Sequence, residues 1–91
     1  EEKRDLALVM NKDITYGQVE ECIRRANKYI KEIRLFDVYE GGQIPEGKKS
    51  VTIRLTIGSE EKTLTSQEIE SAANQVMKKL EKKMGAQLRT Q

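Results

Sequence analysis

Two segments of the chain alternate apolar and polar residues, with the two-residue period of a strand that has one face against a core. The first covers residues 5–10, and the second, residues 50–57, has the cleanest alternation in the chain. Between them, residues 32–39 are rich in β-favouring residues, but their apolar side chains occupy both parities. This pattern predicts a strand with a bulge or with burial on both faces. We expect the only phenylalanine, Phe36, to lie in the core.

The first helix is predicted behind a capping box, in which a threonine and a glutamine three residues later each accept a hydrogen bond from the other's backbone. Thr15 and Gln18 supply this box, and apolar residues then recur at helical spacing as far as Ile30. The pattern predicts a helix over about residues 16–29. Cys22 lies on the apolar stripe, so we expect a small buried residue and not a reactive thiol.

A second capping box, formed by Thr65 and Glu68, predicts a helix over about residues 66–84. Gly85 stands where a helix C-terminus favours a left-handed residue, and residues 86–89 alternate again as a short last strand. Near its end this helix carries a basic run, which we expect to be a solvated face that suits the helix dipole: Lys78, Lys79, Lys82 and Lys83.

The predicted order of elements is βαββαβ, which is a ferredoxin-like α+β fold formed by residues 1–91 as one domain. In this fold two helices cover one face of a four-stranded antiparallel sheet and leave the other face open. Strand parity makes the open face polar and partly basic, with Asp5, Ala7, Val9, Ser50, Thr52, Arg54, Thr56, Gln87 and Arg89. The expected strand order brings four residues into one row across the sheet: Arg89, Ala7, Ser50 and Tyr39. A row with an aromatic, an arginine and small polar residues suits unstacked RNA bases.

Composition narrows the possible functions. The net charge of +2 is too balanced to mark the whole surface as a polyanion binder, so any nucleic-acid contact must be local. The chain has no histidine, which excludes histidine base catalysis and argues against zinc, and its single cysteine favours a reducing compartment. No apolar run approaches a membrane span, and the first residues are charged. We therefore expect a soluble intracellular domain and, because Glu1 is not an initiator methionine, a fragment of a larger protein.

Three other functions on this topology can be weighed from the residues. An RNA-recognition motif needs clustered aromatics on its middle strands, and residues 6–10 and 51–55 contain none. An enzyme of the acylphosphatase kind needs a phosphate-binding loop after the first strand, where residues 11–15 offer no glycine. A module for protein interaction or small-molecule sensing would present an apolar open face, whereas the third strand is polar there. This last class stays open as the alternative.

One segment resembles a known family. Residues 35–50 read LFDVYEGGQIPEGKKS and match the pattern F-D-x-Y, a glycine, then I-P-x-G-x-K-S. This pattern is typical of the ferredoxin-fold anticodon-binding domain that ends the β chain of bacterial phenylalanyl-tRNA synthetase. Further matches at residues 4–7, 54–56, 62–65 and 85–89 extend the resemblance over nearly the whole chain.

The resemblance implies that the open sheet face holds the anticodon of phenylalanine tRNA. Tyr39 would stack on an anticodon base, while Asp37 and Ser50 would form hydrogen bonds with base edges. Ala7 would let a base approach the sheet, and Arg89 would meet a base or a phosphate. From the residues alone, Asp37 could equally cap a bulge.

The resemblance also implies which parts of the function lie elsewhere. It gives this domain no catalytic residue, no metal and no cofactor, with ATP and magnesium expected only for the parent ligase. The expected partners are phenylalanine-specific tRNA, the rest of the β chain and the α subunit, in the cytoplasm and without a membrane. The glycines and the proline of residues 41–47 are expected to shape a loop and to bind nothing.

Overall fold

The structure, a computed structural model, describes residues 1–88. Its sheet has the strand order β2-β3-β1-β4, and every pair of neighbouring strands is antiparallel. The elements confirm the predicted ferredoxin-like α+β fold: β1 (Glu2–Asn11), α1 (Tyr16–Ala26), β2 (Ile30–Tyr39), β3 (Lys48–Ile57), α2 (Ser66–Met84) and β4 (Gln87–Leu88).

The core lies between the helices and one face of the sheet. Leu8 and Met10 of β1 are fully buried, and β3 buries every second residue from Val51 to Ile57. These side chains form one cluster with apolar residues of both helices, including Val76 of α2. The apolar parity of the strands therefore faces the helices, as predicted, and the opposite parity forms the open face.

Helix α2 has the predicted bounds because its two ends are specified locally. The hydroxyl of Thr65 accepts the backbone N–H of Glu68 at 3.1 Å, and the carboxylate of Glu68 accepts that of Thr65 at 2.9 Å. At the other end Gly85 has φ of 65° and donates its N–H to the carbonyl of Glu81. Within residues 1–88, neither this helix nor α1 is long and apolar enough to cross a membrane.

Helix α1 ends at Ala26, three residues before the predicted end. Asn27 is extended, and its side-chain oxygen accepts the N–H of Tyr29 at 2.8 Å, which turns the chain out of the helix. The side-chain amide of Asn27 also donates to Gln75 of α2 at 2.7 Å. Ile30 is therefore the first residue of β2, and its assignment to the helical stripe was wrong.

Strand β2 confirms the predicted bulge and corrects the prediction for Phe36. Its pairing with β3 shifts register between Ile30 and Glu32, and again between Leu35 and Asp37. Phe36 is the extra residue of the second shift, and 49% of its surface is exposed. The prediction that Phe36 lies in the core was wrong, because the bulge removes its side chain from the parity that faces the helices.

Cys22 is a buried core residue, as predicted. It is 6% exposed and belongs to the cluster between helices and sheet. Burial raises the pKa of its thiol, and the charges of Lys79 and Lys83 offset this only in part. A neutral thiol in this position acts as a small apolar side chain.

Candidate nucleic-acid interface

The open sheet face is organised in rows of cross-strand neighbours, and each row contains one residue from each paired strand. The first row contains Tyr39, Ser50, Val9 and Gln87, the second contains Asp37, Thr52 and Ala7, and the third contains Arg34, Arg54 and Asp5. Tyr39 and Ser50 are therefore neighbours, as predicted, but Ala7 lies one row away, beside Asp37 and Thr52. Arg89, the remaining member of the predicted row, lies outside the described residues.

The loop between β2 and β3 holds Tyr39 and Ser50 beside each other. Gly41, Gly42 and Gly47 have φ angles of 86°, 57° and 83°, a region that other residues seldom adopt, so the predicted role of these glycines in loop shape is confirmed. Ile44 is buried at 8% exposure and anchors the loop from within. The carbonyl of Gly47 accepts the N–H of Lys12 at 3.0 Å, which joins the loop to the end of β1.

Tyr39 and Ser50 differ in how far a ligand can reach them. Tyr39 is 38% exposed at the end of β2, so part of its ring is open to a base. Ser50 is only 1% exposed although its parity faces the open side of the sheet. A base edge can therefore meet the Ser50 hydroxyl only after neighbouring side chains shift.

The second row of the open face lies beside Tyr39 and combines two polar side chains with one small apolar side chain. Asp37 is exposed, whereas Thr52 and Ala7 are half-buried between their neighbouring strands. Ala7 lies at the β1 end of this row and its side chain is only a methyl group, so a planar group can approach the backbone there. Asp37 also follows the bulge directly. This position agrees with both roles considered for it, a hydrogen bond to a base edge and capping of the bulge.

The third row carries an arginine held by a carboxylate. Arg54 donates from Nε to one oxygen of Asp5 at 2.8 Å and from Nη2 to the other at 3.1 Å. The hydrogen bond from Arg54 is the main reason that the pKa of Asp5 is below its ordinary value, and the same bond raises the pKa of Arg54. The guanidinium carbon of Arg54 lies 4.3 Å from the centre of the Phe36 ring, which places Phe36 on the open face.

Three residues of this surface were missed as candidates by the sequence reasoning: Phe36, Thr52 and Val9. Thr52 and Val9 were assigned to the open face but not to the site, because the register of β1 against β3 was unknown. For Phe36 a signal was available. The predicted bulge implied that one residue of β2 would leave the alternation, and the adjacent apolar pair Leu35 and Phe36 marked its position.

An antiparallel sheet with helices on one side and an exposed tyrosine on the bare side is the architecture of a binding platform. The chain belongs to the ferredoxin-fold anticodon binding domain family, which it matches over residues 1–89. Both the fold and the resemblance predicted from the sequence are thereby confirmed.

Close relatives of this chain are phenylalanine–tRNA ligase β subunits. The proteins from Bacillus licheniformis and Carboxydothermus hydrogenoformans are 48% and 46% identical to it, over 94% and 99% of the chain. The protein from Porphyromonas gingivalis is 41% identical over 98% of the chain. In each case the match covers 11% of the relative, so the chain spans about a ninth of the length of these curated proteins.

Proposed function

We propose that this chain is the anticodon-recognition module of a phenylalanine–tRNA ligase β subunit, and that it holds the anticodon loop of phenylalanine tRNA on its open sheet face. The observation that carries the proposal is the exposure of Tyr39 on that face, in register with Ser50 and one row from Asp37 and Ala7. An aromatic ring beside small polar groups can stack on a base and select it by hydrogen bonds.

The proposed roles follow the rows. Tyr39 stacks on one anticodon base, and Asp37 accepts hydrogen bonds from the edge of a base that lies over Ala7. Ser50 joins the contact when the side chains over its hydroxyl move aside on binding. A role for Arg89, as a contact to a base or a phosphate, rests on the family resemblance alone.

The module supplies selection and no chemistry of its own. The ATP and magnesium expected of the parent ligase are assigned to no residue of this chain. In the cytoplasm the rest of the β chain and the α subunit would hold the acceptor end of the tRNA, far from this surface. Binding energy at the anticodon would then favour phenylalanine tRNA over other tRNAs.

The size of the platform sets the expected affinity. Stacking of a base on one aromatic side chain contributes about 1 to 3 kcal/mol, so the chain alone should bind an anticodon stem-loop weakly. Tethering changes this, because a tRNA held elsewhere on the ligase meets the domain at an effective concentration of roughly millimolar. A weak contact can then contribute to selection.

The decisive experiment is a titration of the isotope-labelled chain with an anticodon stem-loop of phenylalanine tRNA, followed by NMR. We expect shifts on the open-face residues of β1, β2 and β3, and loss of most of the binding in Tyr39→Ala. Tyr39→Phe is the matched control, because it keeps the ring and should keep most of the affinity. Val38→Ala, on the other face of the same strand, should bind like the wild type.

Two outcomes would overturn the proposal. Shifts confined to the helices would place the contact on the wrong side of the molecule. Equal binding by the wild type and Tyr39→Ala, in a variant with an unchanged backbone spectrum, would remove the ring from the interface.

A further inference from the structure

Phe36 is a large apolar side chain that lies exposed on the open face. The core does not require it in this position. Its ring contributes nothing to the core between helices and sheet, which is closed by other residues. An apolar side chain with 49% exposure gains less by burial than one in the core, so burial of the ring does not by itself account for the bulge that brings it to this face. Bulges often redirect a side chain at a functional site.

The ring is held in place from one side. Arg54 lies against it at 4.3 Å from the ring centre, and the two hydrogen bonds to Asp5 fix the guanidinium. The Asp5 carboxylate thus fixes the orientation of the Arg54 guanidinium, and the guanidinium fixes the orientation of the Phe36 ring. A ring already ordered by such contacts loses little conformational freedom when a second planar group packs on its other side.

Phe36 and Tyr39 stand three residues apart on β2, which corresponds to about 10 Å along a strand. One planar base cannot stack on both rings at that separation. Asp37 lies between them, with Thr52 as its neighbour on β3. The spacing suits two unstacked bases with a polar group between them, which is how single-stranded RNA is read on sheet platforms.

From this geometry we infer that Phe36 is a second base-stacking residue and that Arg54, fixed by Asp5, positions its ring. The inference rests on the proposed function and adds to it. The platform reads two bases with two rings, and the base on Phe36 lies between the ring and solvent, on the side away from the guanidinium.

The ring can be observed without interference, because Phe36 is the only phenylalanine in the chain. We would label phenylalanine with carbon-13 and titrate the chain with the anticodon stem-loop and with versions that lack one loop base at a time. Ring-current shifts of Phe36 should saturate together with the open-face amide signals. One abasic position should abolish the Phe36 shift and leave the Tyr39 shift, and a different position should do the reverse.

Affinity gives an independent readout. Phe36→Leu should weaken stem-loop binding about fivefold, near the lower limit for loss of one stacking contact. Arg54→Met removes the support of the ring and should give a smaller loss with a broadened Phe36 signal. Leu35→Ala, a neighbour whose side chain faces the helix side, should bind like the wild type.

The outcomes separate the inference from the proposed function. If the stem-loop shifts Tyr39 but leaves the Phe36 signal unmoved, and Phe36→Leu binds like the wild type, the second stacking site does not exist and the anticodon proposal stands. If the wild-type chain shows no shifts on the open face, the proposed function fails and the inference fails with it.

Discussion

The two halves of strand β2 have opposite environments. In the first half Ile30 and Ile33 are buried under α1, each at 8% exposure. In the second half Leu35 and Val38 keep the parity of the core face but are 39% and 45% exposed. On the other face of the same half stand Phe36 and Tyr39, so this end of the strand is apolar and accessible on both sides.

The length of α1 explains the difference. An eleven-residue helix is about 16 Å long, whereas a ten-residue strand extends about 33 Å. The first residue of the helix, Tyr16, donates its hydroxyl to the carbonyl of Ile33 at 3.2 Å, which marks where the helical cover ends. β2 is the edge strand of the sheet, and beyond that point its side chains contribute to a surface and not to a core. The first half of β2 therefore stabilises the core, and the second half is accessible for recognition.

The strongest test of this division is truncation in the buried half. Ile33→Ala should lower the free energy of unfolding by about 2 to 4 kcal/mol, because it leaves a cavity under α1. Val38→Ala, on the same face of the same strand, should cost less than about 1 kcal/mol, since the side chain is already half exposed. Urea unfolding followed by circular dichroism measures both. Similar losses in the two variants would show that α1 covers the whole strand in solution.

The parts of the fold that were predictable from sequence are those specified by nearby residues. Both capping boxes were visible as short motifs, and Gly85 fixed the end of α2 to the residue. The alternation of β3 assigned its faces correctly because one side is buried along the strand. The end of α1 was predicted too late, since Asn27 ends the helix through its own side chain before the apolar pattern stops.

The site was only partly predictable, because it depends on the register between strands distant in sequence. Tyr39 and Ser50 were placed together correctly, since a single hairpin loop joins their strands. The pairing of Ala7 with Thr52 was not predictable, because β1 and β3 are joined through α1 and β2 and no short turn fixes their register. Phe36 was misplaced for a related reason, since a bulge changes parity without changing composition.

A smaller effect on the free energy of unfolding is expected for the ion pair between Asp5 and Arg54, which supports Phe36 in the exposed half of β2. Because Arg54 lowers the pKa of Asp5 in the folded chain, their pair stabilises the fold above the unfolded pKa of about 3.9, and this contribution disappears as the pH falls through the lower, folded value. The pair is largely exposed, so solvent screening keeps its contribution to the free energy of unfolding small.

Asp5→Asn tests this contribution. The variant should be slightly less stable than the wild type at pH 7, and the difference should disappear in acid as the pH falls through the lowered pKa of Asp5. Urea titrations at the two pH values measure it, and Arg4→Gln, which removes a half-exposed arginine of β1 that pairs with Glu2, is a suitable control. A difference that persists unchanged in acid would mean that the substitution acts through packing and not through the charge of Asp5.

The smallest effect on stability is expected for deletion of Phe36, at the bulge where the two halves of β2 meet. Deleting Phe36 joins Leu35 directly to Asp37, and their partners Ile53 and Thr52 are already consecutive on β3. The ladder then runs without an irregularity from Glu32 to Tyr39, and Tyr39 keeps its place opposite Ser50. We therefore expect a free energy of unfolding within about 0.5 kcal/mol of the wild type, as for a neutral surface change.

Deletion of the neighbouring Arg34 is the matched control for the loss of Phe36. Ile33, Arg34 and Leu35 pair with three consecutive residues of β3, so removing Arg34 must push one half of β2 onto the wrong face. That variant should lose several kcal/mol, of the order found when large core side chains are removed. Urea unfolding distinguishes the two deletions. If loss of Phe36 is as damaging as loss of Arg34, the bulge is part of the structural framework; if it is harmless, the extra residue is present only for what its ring contacts.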